Sequence, residues 1–148
     1  MDKGDLSNKV SPRCLLVFEG ALAFCTNEAK SSKLIAKRRD EKALKEYWVL
    51  NEHLCRRILW LFHKKDITFE VVTFLGQQFA VELRYWLDSL DIPVHRVWAT
   101  TPAALGRNIA YMPDLAFVYD PEPERWLMYG TKGVFLSDVN QVGDFYRV

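Results

Sequence analysis

The sequence has few of the features that mark extracellular or membrane proteins. It contains only three cysteines in 148 residues, with no CxxC pair, so neither a disulfide framework nor a zinc site is predicted. No apolar run approaches the roughly 18 residues that a membrane helix needs. The polar stretch 1–13 lacks the apolar core of a signal peptide. These absences predict a soluble, intracellular protein of the cytoplasm that has no membrane partner.

The chain also lacks a strong charge of one sign. Its 20 Lys and Arg against 19 Asp and Glu leave a net charge of +1, so overall electrostatics do not indicate a nucleic-acid or acidic partner. The local exception is the segment 30–45, where seven basic residues stand against two acidic ones. This segment would suit a phosphate-bearing ligand or a nucleic-acid backbone, but it is equally typical of a solvated loop and helix start. Nucleic acid is therefore the weaker of these partner predictions.

What the sequence does contain is enough apolar material for a core. Hydrophobic residues make up 49% of the chain and aromatic residues 14%, which is typical of a globular protein. The length is that of one domain. We expect a loose N-terminal arm over 1–13 and a single folded domain over 14–148.

Five short apolar runs alternate with helical patterns along that domain. The predicted strands are 14–18, 67–72, 94–98, 115–119 and 134–136. The predicted helices are 41–65, 79–90, 101–109 and 120–129, and Thr101-Pro102 reads as an N-cap followed by proline at the first helical position. Continuous apolar strands separated by helices are typical of a parallel sheet that is covered on both faces. The order predicts a three-layer, Rossmann-like α/β domain with a five-stranded parallel sheet.

Acidic and hydroxyl side chains follow three of the predicted strands. They are Glu19, Thr73, Asp120, Glu122 and Glu124. In such sheets ligands bind at the carboxyl ends of the strands, so these side chains converge if their strands are neighbours. Carboxylates placed there could hold Mg²⁺ through oxygen ligands, with the Thr73 hydroxyl on a phosphate oxygen. A plainer interpretation makes Asp120 a helix N-cap and Glu19 a solvated residue at a strand end.

Several of these positions match sequence motifs of one enzyme family. The frame Val17-Phe18-Glu19-Gly20-Ala21-Leu22 parallels an apolar strand followed by Asp-x-Asp-Gly-Thr-Leu. The strand that ends at Thr73 and the strand that ends at Asp120 parallel two further motifs. Over Cys14 to Ser137 the chain thus resembles the haloacid dehalogenase superfamily. The resemblance implies a small flap or cap inserted after the first strand, at about 23–45.

The sequence departs from this family where the reaction would take place. Val17 stands at the position of the nucleophilic Asp, and a valine cannot form an aspartyl-phosphate. Glu19 stands at the general acid/base position, one methylene longer than the family's Asp. The family's Lys is missing, and Arg107 lies further along, inside a predicted helix. The resemblance therefore implies the fold without the standard reaction.

Three functional hypotheses follow, with Gly20, Thr73 and Arg107 as candidate ligand-binding residues and Asp120 and Glu124 as weak candidates for a metal. The first is a catalytically degenerate domain that binds a phosphorylated small molecule or a protein partner. The alternative is a Mg²⁺-dependent phosphohydrolase with an atypical site, which makes Mg²⁺ the one possible cofactor. The third is a nucleic-acid-associated protein that uses the segment 30–45. We favour the first because no residue near Val17 in sequence replaces the missing nucleophile.

Overall fold

A five-stranded parallel sheet forms the centre of the molecule. The structure is a computed structural model that describes residues 13–25, 48–65, 67–112, 115–122, 124, 126, 134–137 and 141. Its strands are β1 (Arg13–Val17), β2 (Ala23–Cys25), β3 (Trp48–Leu50), β4 (Thr68–Thr73), β5 (Arg96–Ala99), β6 (Leu115–Tyr119) and β7 (Phe135–Leu136). The large sheet has the order β5-β4-β1-β6-β7, and all of its pairings are parallel. The α/β fold with a five-stranded parallel sheet, predicted from the sequence, is confirmed.

Strand β1 lies in the middle of this sheet because its residues can be buried on both faces. It pairs with β4 on one side and β6 on the other, and the side chains of 14–17 are fully buried. A continuous apolar run suits a parallel strand that is covered on both faces. After β1 the chain builds outward to β5 and then returns to the other side of β1 with β6. This return places the topological switch point at β1.

Three helices accompany the sheet in the described part of the chain. They are α1 (Glu52–Lys65), α2 (Gln77–Ser89) and α3 (Pro102–Ile109). The N-cap predicted for α3 is confirmed, since Thr101 Oγ1 accepts a hydrogen bond from the backbone N–H of Ala104 at 3.2 Å, with Pro102 at the first helical position. Asn51 caps α1 in the same way, through Oδ1 and the N–H of Leu54 at 3.2 Å. None of the described helices is long and apolar enough to cross a membrane.

A small antiparallel pair of strands, β2 and β3, corrects one prediction. The helical pattern predicted over 41–65 is wrong for Trp48–Leu50, which pair with Ala23–Cys25 as a two-stranded sheet. Trp48 is buried against Phe18, with ring centroids 4.8 Å apart. The residues 48–50 also have high β-propensity, and this pairing satisfies their backbone groups. The helix begins at Glu52, directly after its Asn51 cap.

The other elements agree with the sequence interpretation to within a few residues. The third predicted strand lies at Arg96–Ala99 instead of 94–98. Half of the helix predicted over 120–129 lies outside the described residues. Within the other half, Glu124 and Trp126 are helical, and Trp126 is fully buried. Residues 1–12 of the arm predicted over 1–13 also lie outside the described residues, whereas Arg13 is the first residue of β1. The segment 26–47, which includes the basic residues 30–45 and most of the expected flap, lies outside the described residues as well.

Candidate functional site at the carboxyl ends of the strands

A cavity of about 440 Å³ opens at the carboxyl ends of three adjacent strands, β4, β1 and β6. This volume lies within the range of small-molecule pockets. The wall is formed by residues that follow these strands and by residues of β2 and β3. They are Glu19, Gly20, Phe24, Cys25, Trp48, Phe74, Leu75, Pro121 and Glu122. The strand ends therefore meet where the parallel topology predicts a ligand crevice.

The carboxylate of Glu19 is held from the neighbouring strand. The hydroxyl of Thr73, the last residue of β4, donates to Glu19 Oε1. The backbone N–H of Phe74 donates to both carboxylate oxygens, at 3.3 and 3.4 Å. The N–H of Leu75 donates to the Thr73 hydroxyl oxygen at 3.1 Å, which orients that hydroxyl toward Glu19. Glu19 is therefore positioned on a small set of donors at the end of β4.

Val17, the last residue of β1, contributes no polar side chain. Its side chain is fully buried, and the residue pairs with Val72 of β4. The backbone carbonyl of Val17 accepts from the N–H of Leu22 at 3.3 Å, so the chain turns sharply after β1. An apolar side chain in the core can neither attack a substrate nor ligate an ion.

The loop after β6 is fixed by Asp120. This residue is fully buried, and its Oδ1 accepts from the backbone N–H of Glu122 at 2.9 Å. Gly20 approaches the same loop with a left-handed φ of 83°, and a Cβ atom on it would lie 3.2 Å from Pro121 Cγ. Glycine suits Gly20 for both reasons, the backbone conformation and the close approach. The two loops together place Glu19 and Glu122 on the cavity wall.

The sequence-predicted site residues occupy different positions relative to this cavity. Glu19 and Gly20 line it, whereas Thr73 and Asp120 lie behind the wall and hold residues that line it. Arg107 is exposed in the last turn of α3, and Glu124 is exposed after β6. Neither of these two residues is among those that form the described wall.

The donors available for a metal ion are few. Among the residues with described positions, no group of three or more His, Cys, Asp or Glu side chains is placed to hold a metal ion. Glu19 already accepts from Thr73 and Phe74, and Asp120 accepts from the loop backbone. Mg²⁺ is commonly held by carboxylates and retained waters in octahedral geometry. The described residues thus form no metal site that is made of protein ligands alone.

Sequence reasoning missed the aromatic wall of the cavity. Phe24, Trp48 and Phe74 line it, but each belongs to an apolar stretch that reads equally well as core. Phe74 directly follows the strand end at Thr73, and this position was the available signal. Phe24 and Trp48 carried none, because only the pairing of β2 with β3 brings them to the cavity.

The cavity wall combines carboxylates with aromatic residues. It offers the positioned carboxylate of Glu19 and a second carboxylate at Glu122, while the nearby side chain of Val17 is apolar and fully buried. No protein-family model, curated protein or solved structure matches the chain. Functional inference therefore rests on the geometry of this cavity.

Proposed function

We propose that this chain is a haloacid dehalogenase-like domain that lacks phosphoryl-transfer chemistry and works by binding at the strand-end cavity. The proposal combines the three-layer arrangement and flap insertion implied by the motifs with the position of the cavity. The central β1, with a turn and the antiparallel β2–β3 pair after it, supports the expected insertion after the first strand.

The observation that carries the proposal is the contact between Glu19 and the end of β4. The family resemblance implies that the Thr73 hydroxyl would bind a phosphate oxygen. Here this hydroxyl and the Phe74 N–H donate to the Glu19 carboxylate instead. A carboxylate on these donors both occupies them and repels a phosphate dianion. The chain thus supplies its own anion where a substrate anion would be bound.

The apolar side chain of Val17 supports the same conclusion, because it cannot act as the nucleophile. An aspartyl-phosphate needs a carboxylate nucleophile, and the side chain in that frame is a fully buried valine. A general acid/base must also be free to exchange its proton with the reacting group. Glu19 is instead directed at Thr73 and Phe74.

The two other hypotheses are less well supported. A Mg²⁺-dependent phosphohydrolase gains no support from the described residues, among which no three His, Cys, Asp or Glu side chains are grouped to hold a metal ion. A nucleic-acid role depends on residues 30–45, which lie outside the described part of the chain. Of the two ligand classes in the favoured hypothesis, a phosphorylated ligand is opposed by the carboxylates on the cavity wall, whereas a protein partner is compatible with them.

The test is an aryl-phosphate hydrolysis assay with Mg²⁺ on the native chain and on Glu19→Gln. We expect both proteins to give the rate of buffer alone. Glu124→Gln is the matched control, because this acid is exposed and does not line the described wall. Turnover that is abolished by Glu19→Gln and retained in Glu124→Gln would overturn the proposal and favour the phosphohydrolase.

A further inference from the structure

The charge and chemistry of the cavity wall specify what it can bind. Its charged side chains, among the described residues, are the carboxylates of Glu19 and Glu122. Three aromatic residues, Phe24, Trp48 and Phe74, also line it. Carboxylates attract cations, and the negative faces of aromatic rings do the same without losing apolar contact. Both kinds of group therefore select against anions.

Contacts within the protein hold several of these groups in place. Glu19 is held by Thr73 and Phe74, and the loop carrying Glu122 is held by Asp120. Trp48 packs against both Phe18 and Phe79, at centroid distances of 4.8 and 5.8 Å. A wall that is already ordered loses little conformational entropy on binding, which favours affinity.

We propose that the strand-end cavity binds an organic ammonium group that carries an aliphatic body. This inference rests on the proposed function, because it names the ligand class of the same non-catalytic site. The ammonium lies toward Glu19 and Glu122, and the aliphatic body lies against Phe24 and Phe74. The group has two possible sources, a free alkylamine or the side chain of a lysine on a partner protein.

The test is a titration followed by ¹H–¹⁵N NMR at the backbone amides of Gly20 and Phe74 and at the indole N–H of Trp48. The probes are n-butylammonium, neutral butyramide, butyrate and inorganic phosphate. We expect n-butylammonium to produce saturable shifts and to bind more tightly than each of the other three. A tripeptide with a central lysine, acetylated at its N-terminus and amidated at its C-terminus, distinguishes the sources. Tighter binding of this peptide than of n-butylammonium indicates a protein partner, and equal or weaker binding indicates a free amine.

Two substitutions examine the wall directly. Glu122→Gln and Phe24→Ala are each expected to raise the dissociation constant of n-butylammonium by about 2- to 5-fold. Phe24 is 51% exposed and Glu122 is exposed, so both variants should fold. Glu124→Gln, an exposed acid outside the described wall, should leave the constant unchanged.

Three results would overturn the inference. They are tighter binding of butyrate or phosphate, no shift with either ammonium probe, and an effect of Glu124→Gln equal to that of Glu122→Gln. Failure of the proposed function looks different, because it is seen as hydrolysis of the aryl phosphate. If the protein neither hydrolyses the aryl phosphate nor binds n-butylammonium, the result contradicts the ammonium inference and leaves the proposed function standing.

Discussion

Glu70 places a buried carboxylate in the middle of β4, with partners from the strands on both sides. Arg13 Nε of β1 donates to Oε2 at 2.7 Å, and Trp98 Nε1 of β5 donates to Oε1 at 3.1 Å. Arg96 lies over the ring of Trp98, 4.8 Å from its centroid, and 4.0 Å from Glu70 Oε1. Because only 2% of Glu70 is exposed, these donors take the place of the water that would otherwise stabilise its carboxylate.

Removing this charge should therefore destabilise the protein. Glu70→Gln is expected to lower the free energy of unfolding by about 2–3 kcal/mol, because a buried charge-assisted pair is broken. Urea unfolding measures the change. The control is Asp88→Asn, which removes an ion pair with Arg84 whose side chains are largely exposed, and it should cost less than about 0.5 kcal/mol. Equal losses in the two variants would contradict the role assigned to Glu70.

Cys55 provides a prediction about reactivity and pH. Burial, reinforced by the Glu52 carboxylate and opposed by the Arg56 guanidinium, raises the pKa of this thiol from 9.0 to about 11. The thiolate is the reactive form, so at pH 8 we expect alkylation of Cys55 by iodoacetamide to be about 100-fold slower in the native protein than in urea. Below pH 11 the native rate should rise about tenfold per pH unit, because the thiolate fraction does so.

Timed alkylation with peptide mapping by mass spectrometry measures this rate. Glu52→Gln should accelerate the native reaction, since loss of the carboxylate lowers the pKa of Cys55. A native rate that equals the rate in urea would show that burial does not protect the thiol.

At the scale of elements, the start of α1 is joined to the turn after β1. Asn51 accepts from the Leu54 N–H through Oδ1, donates from Nδ2 to the carbonyl of Ala21 at 3.2 Å, and donates from its backbone N–H to the carbonyl of Leu22 at 2.8 Å. One residue thus caps the helix and fixes the loop that carries Glu19 and Gly20.

Asn51→Ala should cost more than the loss of an ordinary cap. We expect a loss of about 1.5–3 kcal/mol, since both the cap and the bond to Ala21 disappear. Thr101→Ala removes a cap alone from α3 and should cost about 1 kcal/mol. Asn51→Asp keeps the accepting oxygen and should fall between the native chain and Asn51→Ala. Thermal or urea unfolding of the three variants measures the order of their stabilities. An equal loss of stability in both alanine variants would show that the bond from Asn51 to Ala21 does not stabilise the protein.

At the scale of the whole molecule, stability should decrease from the centre of the sheet to its edge. β1 is bonded on both sides and its side chains at 14–17 are fully buried, whereas β5 is an edge strand with partly exposed residues. Central strands open only with global unfolding, while edges also open locally.

Native-state hydrogen exchange can test this gradient. The amides of Leu15 and Leu16 should exchange at least roughly tenfold more slowly than those of Val97 and Trp98. In added denaturant, the exchange rates of the two groups of amides should become equal only near the unfolding transition. Equal protection of β1 and β5 without denaturant would indicate that the sheet opens as one unit.

The sequence alone predicted the features that depend on local hydrogen bonds or on the burial of a strand on both faces. The apolar run 14–18 predicted a strand buried on both faces, and Thr101-Pro102 could cap a helix with its own atoms. The position of Glu19-Gly20 directly after such a strand placed both residues at the crevice. Local hydrogen bonding and hydrophobic burial are enough to determine these features.

Only the tertiary structure decided the rest, because it depends on contacts between residues that are distant in the chain. Trp48–Leu50 continued a helical pattern, yet pairing with Ala23–Cys25 and packing on Phe18 made them a strand. The hydroxyl of Thr73 was a candidate for binding a ligand, and the long-range neighbourhood of β1 and β4 brings it to the carboxylate of Glu19. The sequence by itself determined which segments build the sheet and end at the crevice. The order of the strands, set by long-range pairing and burial, decided which side chains form the cavity wall.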